Sequence, residues 1–159
     1  MNYQESWKRE TNFDLTSDLN KIGGPIIEIG GPTESGFPLA NWGQIKQKTF
    51  ISNIEPGAPT FDKDGTFSHY YGKVDFQADA QHLPFQDGSI GAIRADSLPP
   101  DVFENAIDEA RRVLIQNGLL ILQGVDSDDV LFVTQNGFTL VQYKLKDSVP
   151  YYCVFKKSE

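Results

Sequence analysis

The chain has 159 residues, a formal net charge of -8, 39% hydrophobic residues and 12% aromatic ones. That length accommodates one ordinary domain with a real core and is short for two, and the hydrophobic content sets the chain apart from the disordered class. The acidic balance weighs against nucleic acid or an anionic membrane surface as a docking partner, since both are bound mainly through Lys and Arg.

Residues 1–24 carry Trp7, Phe13, Leu15, Leu19 and Ile22 among polar neighbours, a spacing that predicts a short amphipathic helix or an ordered arm. Gly23-Gly24-Pro25 punctuates the chain, so residues 25–159 are read as a single domain that follows this arm. Ile26 to Ile29 form an apolar run that enters the turn Gly30-Gly31-Pro32-Thr33, as a strand covered on both faces would. A helix is expected between Glu34 and Lys48, but Gly36, Pro38 and Gly43 break it. Thr49 to Glu55 reads as a second strand, and Pro56 to Tyr71 as an irregular loop of the length that is often functional.

Lys73 to Gln77 and Ile90 to Ala95 are the third and fourth expected strands. From Asp101 to Leu114, the apolar stripe Val102, Phe103, Ala106, Ile107, Ala110, Val113 and Leu114 predicts the clearest helix, with Asp101 and Glu104 placed as a capping box and Arg111 and Arg112 at the cation-favouring end. Asn117-Gly118 stops it, and Leu119 to Gln123 follow as a fifth strand. A helix over Ser127 to Gln135 then precedes two strands, Phe138 to Tyr143 and Pro150 to Lys156, too close together for a crossover helix and so antiparallel. The order of elements argues for an α/β, doubly wound, mostly parallel sheet that ends in an antiparallel hairpin.

The glycine turn departs from the dinucleotide pattern G-x-G-x-x-G, because Pro32 and Glu34 occupy positions where later glycines would fall. Glu34 also sets a negative charge beside the turn, which opposes a pyrophosphate at a helix N-terminus. A ligand with ribose, adenine and a cationic or zwitterionic tail fits better, and a nicotinamide-dependent oxidoreductase is disfavoured. Glu28, Glu55 and Asp79 each close or follow an expected strand, and in a doubly wound sheet such ends gather at one crevice. A carboxylate ending the second strand can accept hydrogen bonds from both ribose hydroxyls, one following the third can accept from the adenine amino group, and Glu28 can hold loop amides in place. The competing reading is of ordinary acidic loop residues.

Three stretches resemble the class I S-adenosylmethionine-dependent methyltransferases. Ile26-Ile27-Glu28-Ile29-Gly30-Gly31-Pro32 is similar to that family's first motif. The second match is more specific: Ala78-Asp79-Ala80, then Leu83-Pro84-Phe85, then Asp87-Gly88-Ser89 before an apolar strand. Ala110-Arg111-Arg112-Val113-Leu114 followed by Gly118 resembles the family's helix leading into strand five.

The resemblance implies a Rossmann-like, seven-stranded sheet and S-adenosyl-L-methionine as cofactor. It places the backbone of Gly30, Gly31 and Pro32 near the cofactor's amino-acid end, Glu28 beside that turn, Glu55 at the ribose, Asp79 and Ala80 at the adenine, and Ala95 or Asp96 at the crevice floor near the sulfonium. It implies methyl transfer to a small-molecule acceptor. Catalysis of this kind asks mainly for alignment, so no catalytic residue is assigned, although His69, His82 and Asp96 are candidates for a base should the acceptor be a hydroxyl. His82 has packing beside the adenine loop as its alternative, and His69 a surface or packing role. Trp42, Phe61 and Tyr70 either line an acceptor pocket or belong to a satellite core.

The missing later glycines, the absent helix after the second strand and the short region from Asp96 to Pro100 leave a second reading: a degenerate domain of this fold that acts as a protein partner or regulatory subunit. Cys153, the one cysteine, lies in an apolar run and is expected to be a small buried hydrophobe, with no disulfide and no thiolate metal cage. No apolar stretch approaches the roughly 20 residues of a membrane span, and Met1 to Glu10 lack a signal peptide's apolar region, so a cytoplasmic location is expected.

Overall fold

The computed structural model describes residues 8–9, 14–30, 45, 47–53, 60–61, 67–68, 75–146 and 148–159. In chain order the elements are β1 (Lys8–Arg9), α1 (Leu15–Lys21), β2 (Ile26–Ile29), β3 (Thr49–Asn53), β4 (Thr60–Phe61), β5 (Phe67–Ser68), β6 (Phe76–Gln77), β7 (Ile90–Asp96), α2 (Pro100–Val113), β8 (Leu114–Gln123), α3 (Ser127–Gln135), β9 (Phe138–Lys146) and β10 (Val149–Lys157).

Seven strands and the two-residue edge piece β1 make one sheet in the order β1-β9-β10-β8-β7-β2-β3-β6. The pairings β8-β7, β7-β2, β2-β3 and β3-β6 are parallel, whereas β10 lies antiparallel to both β8 and β9. The expected mostly parallel sheet with a reversed C-terminal hairpin is therefore the observed fold. The last strand inserts between β8 and β9, so the hairpin's outer strand is β9. A separate two-residue ladder, β4 with β5, lies within the segment read as a loop.

Strand alternation divides the core in two. Ile27, Ile29, Ile93, Ala95, Leu120, Leu122, Cys153 and Phe155 face one side, where the α2 stripe Phe103, Ala106, Ile107, Ala110 and Val113 packs on them together with Val133 of α3. Ile26, Ala92, Leu119, Ile121 and Val154 face the other, covered in part by Leu15 and Leu19 of α1. Full burial of a side chain such as Phe103 or Ile107 contributes about 1.5–3 kcal/mol, so α2 is held chiefly by this contact. Cys153 is fully buried, and that burial pushes its thiol up to about 12, in keeping with an inert packing role. Among the described residues no helix is long and apolar enough to cross a membrane.

Two local expectations are corrected. The capping box at Asp101 and Glu104 does not form: α2 begins one residue earlier, with Pro99 at the cap, no side-chain cap bond, and Pro100 in the first turn. Proline tolerates that position because its missing N–H would have no partner there, and its ring presets the helical φ. The capping box is instead on α3, where Asp126 accepts from the Asp129 amide and Asp129 accepts from the Asp126 amide. The fifth strand also starts at Leu114 rather than Leu119: Ile90 pairs with Leu114 and Ala92 with Leu119, so Ile115 to Gly118 bulge out of the ladder, with Asn117 at φ 61.

Candidate functional site

The sheet order reverses between β2 and β7. From β2 the parallel strands continue outward through β3 and β6, and from β7 they run the other way to β8. At such a point the connections leave in opposite directions and open a crevice at the carboxyl ends of the strands. Ile29 and Ala95 are the last register partners of β2 and β7, so Gly30 and Asp96 flank the mouth. Gly30 has φ 75, donates its N–H to the Ser52 carbonyl at 3.0 Å, and has no described atom within 4 Å of where a Cβ would stand. A positive φ favours glycine here, and among the described residues nothing stands where a Cβ would be.

Glu28 does not end its strand. It is the third of four β2 residues and is 1% exposed, on the face opposite the α2 core. Its register neighbour on β7 is Arg94, itself buried, whose Nη2 donates to Gln123 Oε1 at 3.1 Å. Beyond Gln123 lies its β10 partner Tyr152. Burial is the largest influence on the Tyr152 hydroxyl and pushes its pKa up; Arg94 opposes this by charge and hydrogen bonding, while Glu28 and Asp96 add to it. Arg94, Glu28 and Asp96 thus all act on the buried Tyr152 hydroxyl beneath the crevice.

Asp79 is tied into its own turn. Its Oδ1 accepts from the Gln81 amide at 2.9 Å, its carbonyl accepts from the His82 amide at 3.0 Å, and its Oδ2 lies 3.6 Å from His82 Nδ1. An aspartate bonding two residues onward is a common way to hold a turn. The His82 side chain is 83% exposed, so it does not pack beside the loop as one reading held. Ala80 is buried and joins the α2 core, and so does Ala95, whose side chain faces away from Asp96.

The stretch after Asp79 is strapped to α2. Arg112 donates to the Leu83 carbonyl at 3.0 Å, the Phe85 carbonyl at 2.8 Å and Asp87 Oδ1 at 2.7 Å, and it also pairs with Glu109. Glu109 in turn accepts from the Leu83 amide at 3.2 Å. Hydrogen bonds to Glu109 and Asp87 raise the Arg112 pKa above the ordinary value. The motif Leu83-Pro84-Phe85-Gln86-Asp87-Gly88-Ser89 is therefore a loop clamped to α2. A shallow cavity of about 360 Å³ runs along this clamp, lined by Gln81, His82, Asn105, Asp108, Glu109 and Arg112.

Of the residues expected at the site, Gly30 and Asp96 come together at the switch point, with Glu28 below them, while Asp79 lies on the turn after β6, two strands over from β2. Gly31, Pro32 and Glu55 lie outside the described residues, as do Trp42, His69 and Tyr70 and the side chain of Phe61. Sequence reasoning passed over Arg94 and Ser97. A lone arginine inside the apolar run Ile90–Asp96 was a signal available for the first. No residue type in Ser97-Leu98-Pro99-Pro100 signals the left-handed backbone of the second, which has φ 51.

No family model matches the chain, and no curated protein matches it in sequence. Solved structures do match in fold. An S-adenosylmethionine-dependent methyltransferase from Methanosarcina mazei superimposes with a TM-score of 0.57 at 13% identity, over 92% of this chain and 98% of that one. A TehB-like S-adenosylmethionine-dependent methyltransferase from Corynebacterium glutamicum gives 0.54 at 16% identity, over 91% and 85%. A chain from the complex formed with the Trm112 methyltransferase activator of Haloferax volcanii gives 0.58 at 12% identity, over 91% and 88%. The chain shares its fold with S-adenosylmethionine-dependent methyltransferases across most of its length; at these identities the likeness concerns fold.

Proposed function

We propose that residues 25–159 form a methyltransferase domain that binds S-adenosyl-L-methionine in the crevice between β2 and β7 and methylates a small-molecule acceptor, with residues 1–24 as an appended arm. The observation that carries this reading is Gly30, in a left-handed conformation with no described atom within 4 Å of where a Cβ would stand, facing Asp96 across the point where the sheet order reverses. The donor set suits the cofactor: an open main-chain turn for its amino-acid end, and carboxylates for the hydroxyl, amino and cationic groups. In this reading Gly30, Gly31 and Pro32 receive the amino-acid end, Glu55 the ribose, and Asp79 with Ala80 the adenine. Glu28 supports the turn from below, and Ala95 and Asp96 form the floor. When bound, the cofactor supplies a methyl group already activated by its sulfonium, so the protein contributes mainly alignment and exclusion of water.

The test is calorimetric titration of the purified chain with S-adenosylmethionine and S-adenosylhomocysteine. Saturable binding of either supports the reading, and no heat at millimolar ligand overturns it. A second reading, a domain of this fold that serves as a protein partner, draws on the similar fold found in complex with the Trm112 activator. It is favoured if the chain forms a stable complex with a partner protein in the absence of either cofactor form.

A further inference from the structure

The tip of β7 holds a feature that neither the fold nor the clamped loop requires. Ser97, the residue after the strand, adopts φ 51, a conformation that L side chains other than Asn and Asp avoid. It is locked there from two directions. Its N–H donates to the Gln123 carbonyl on β8 at 2.9 Å, and its hydroxyl donates to Asp96 Oδ1 at 2.9 Å. Space for that hydroxyl exists only because its neighbour across the strand ends is Gly124, where an added Cβ would stand 2.6 Å from Ser97 Oγ. Strain of this sort persists only where the surroundings over-determine it, and it gathers at functional sites.

The charges around this tip are uneven. Glu28 and Arg94 are register neighbours of opposite sign and act in opposite senses on the Tyr152 hydroxyl. Asp96 lies two residues beyond Arg94 on the same face, so among the described residues of the crevice floor it carries the charge left over. Its Oδ1 is turned to the Ser97 hydroxyl at 2.9 Å.

We propose that Ser97 is a positioning residue that holds Asp96 as an anionic wall of the crevice, selecting a ligand that is cationic at that depth. This rests on the cofactor reading above and adds the specificity: the wall discriminates the sulfonium form from the neutral thioether. Ser97 acts through Asp96 and through nothing else in the site.

The experiment is titration of the full chain and its variants with S-adenosylmethionine and with S-adenosylhomocysteine, reading the ratio of the two affinities. A merely structural role would weaken both ligands alike and leave the ratio unmoved. Asp96→Asn keeps the acceptor for Ser97 and removes the charge, and the ratio is expected to fall about tenfold against the cationic ligand, the scale of one partly solvated charge pair. Ser97→Gly keeps the left-handed backbone without strain, so its thermal midpoint should equal or exceed the parent's while the ratio falls about threefold, as expected from loss of one orienting hydrogen bond. Gly124→Ala brings a methyl within 2.6 Å of the Ser97 hydroxyl and also strains its own backbone at φ 72, so its thermal midpoint should fall while the ratio moves in the same direction as in Ser97→Gly. Ratios unchanged in Ser97→Gly and Gly124→Ala overturn the positioning role, and a ratio unchanged in Asp96→Asn overturns the anionic wall. Failure of the parent to bind either ligand instead overturns the cofactor reading itself.

Discussion

Replacing Arg94 with methionine tests the electrostatics beneath the crevice. Glu28 is 1% exposed and Arg94 5% exposed, in register on adjacent parallel strands. The substitution preserves much of the side-chain volume but removes the guanidinium, so the Glu28 carboxylate loses that counter-charge and Gln123 Oε1 loses a donor at 3.1 Å. Leaving a buried carboxylate without the opposite charge on the adjacent strand costs roughly 3–5 kcal/mol. For a chain of this length each kcal/mol moves the thermal midpoint by about 2–4 °C, so a drop of roughly 6–20 °C is expected. Glu28→Gln alone should also destabilise. The double variant should be less damaged than the sum of the singles by about 1–3 kcal/mol, the usual coupling between closely neighbouring groups. The assay is equilibrium urea unfolding of the four proteins, repeated at acidic pH. A buried carboxylate stripped of its cation binds a proton more tightly than in the unfolded chain, so the penalty in Arg94→Met is greatest near neutral pH and shrinks as pH falls. Single-variant effects that add to within about 0.5 kcal/mol would refute the coupling, and a penalty that does not vary with pH would refute its ionic origin.

Two further outcomes follow from the loops. Glu109→Ala removes the acceptor that the Leu83 amide uses at 3.2 Å, so that amide should lose protection from hydrogen exchange, while Gly88 and Ser89, bonded to the Arg112 and Val113 carbonyls, keep theirs; equal loss at all three would sink the clamp. Asp129 should titrate above the ordinary aspartate value, pushed up by desolvation first and by Asp126 and Asp128 next, against the pull of its bond to the Asp126 amide. Because the folded state holds this proton more tightly than the unfolded chain, its contribution favours folding at pH values below the unfolded pKa and is lost as pH rises through the folded one. Carboxyl NMR checks this, with Asp128→Asn expected to move the midpoint down; a midpoint at or below about 3.9 in the parent would contradict it.

Where one physical signal dominated, the sequence was readable. The apolar runs of β2, β7 and β8 announce strands buried on both faces, and the stripe on α2 survives as a buried face of five residues. The reversed hairpin followed from the short separation of its strands. Which of its strands would border β8 did not, because that choice is made by tertiary packing of Cys153 and Phe155 against the α2 core rather than by any local pattern. The α2 start was misplaced since an acidic pair three residues apart looks like a cap whether or not a proline has begun the helix sooner. At the site, the glycine turn and the strand-tip aspartates were visible as residue types. The interior position of Glu28, its register beside Arg94 and the left-handed Ser97 depend on the alignment of distant strands, about which a one-dimensional pattern says little.

The placement of β10 between β8 and β9 bears on biogenesis. Until Val149–Lys157 have emerged from the ribosome, β8 has no neighbour on its outer side and β9 cannot join the sheet, since both of those ladders run through β10. Lys157 closes the arrangement by donating from Nζ to the Leu114 carbonyl at 2.7 Å, at the start of β8. A nascent chain halted before this segment would expose the apolar edge Leu119–Leu122 to whatever strand or chaperone it meets first, which makes the interval before β10 emerges the vulnerable moment of synthesis.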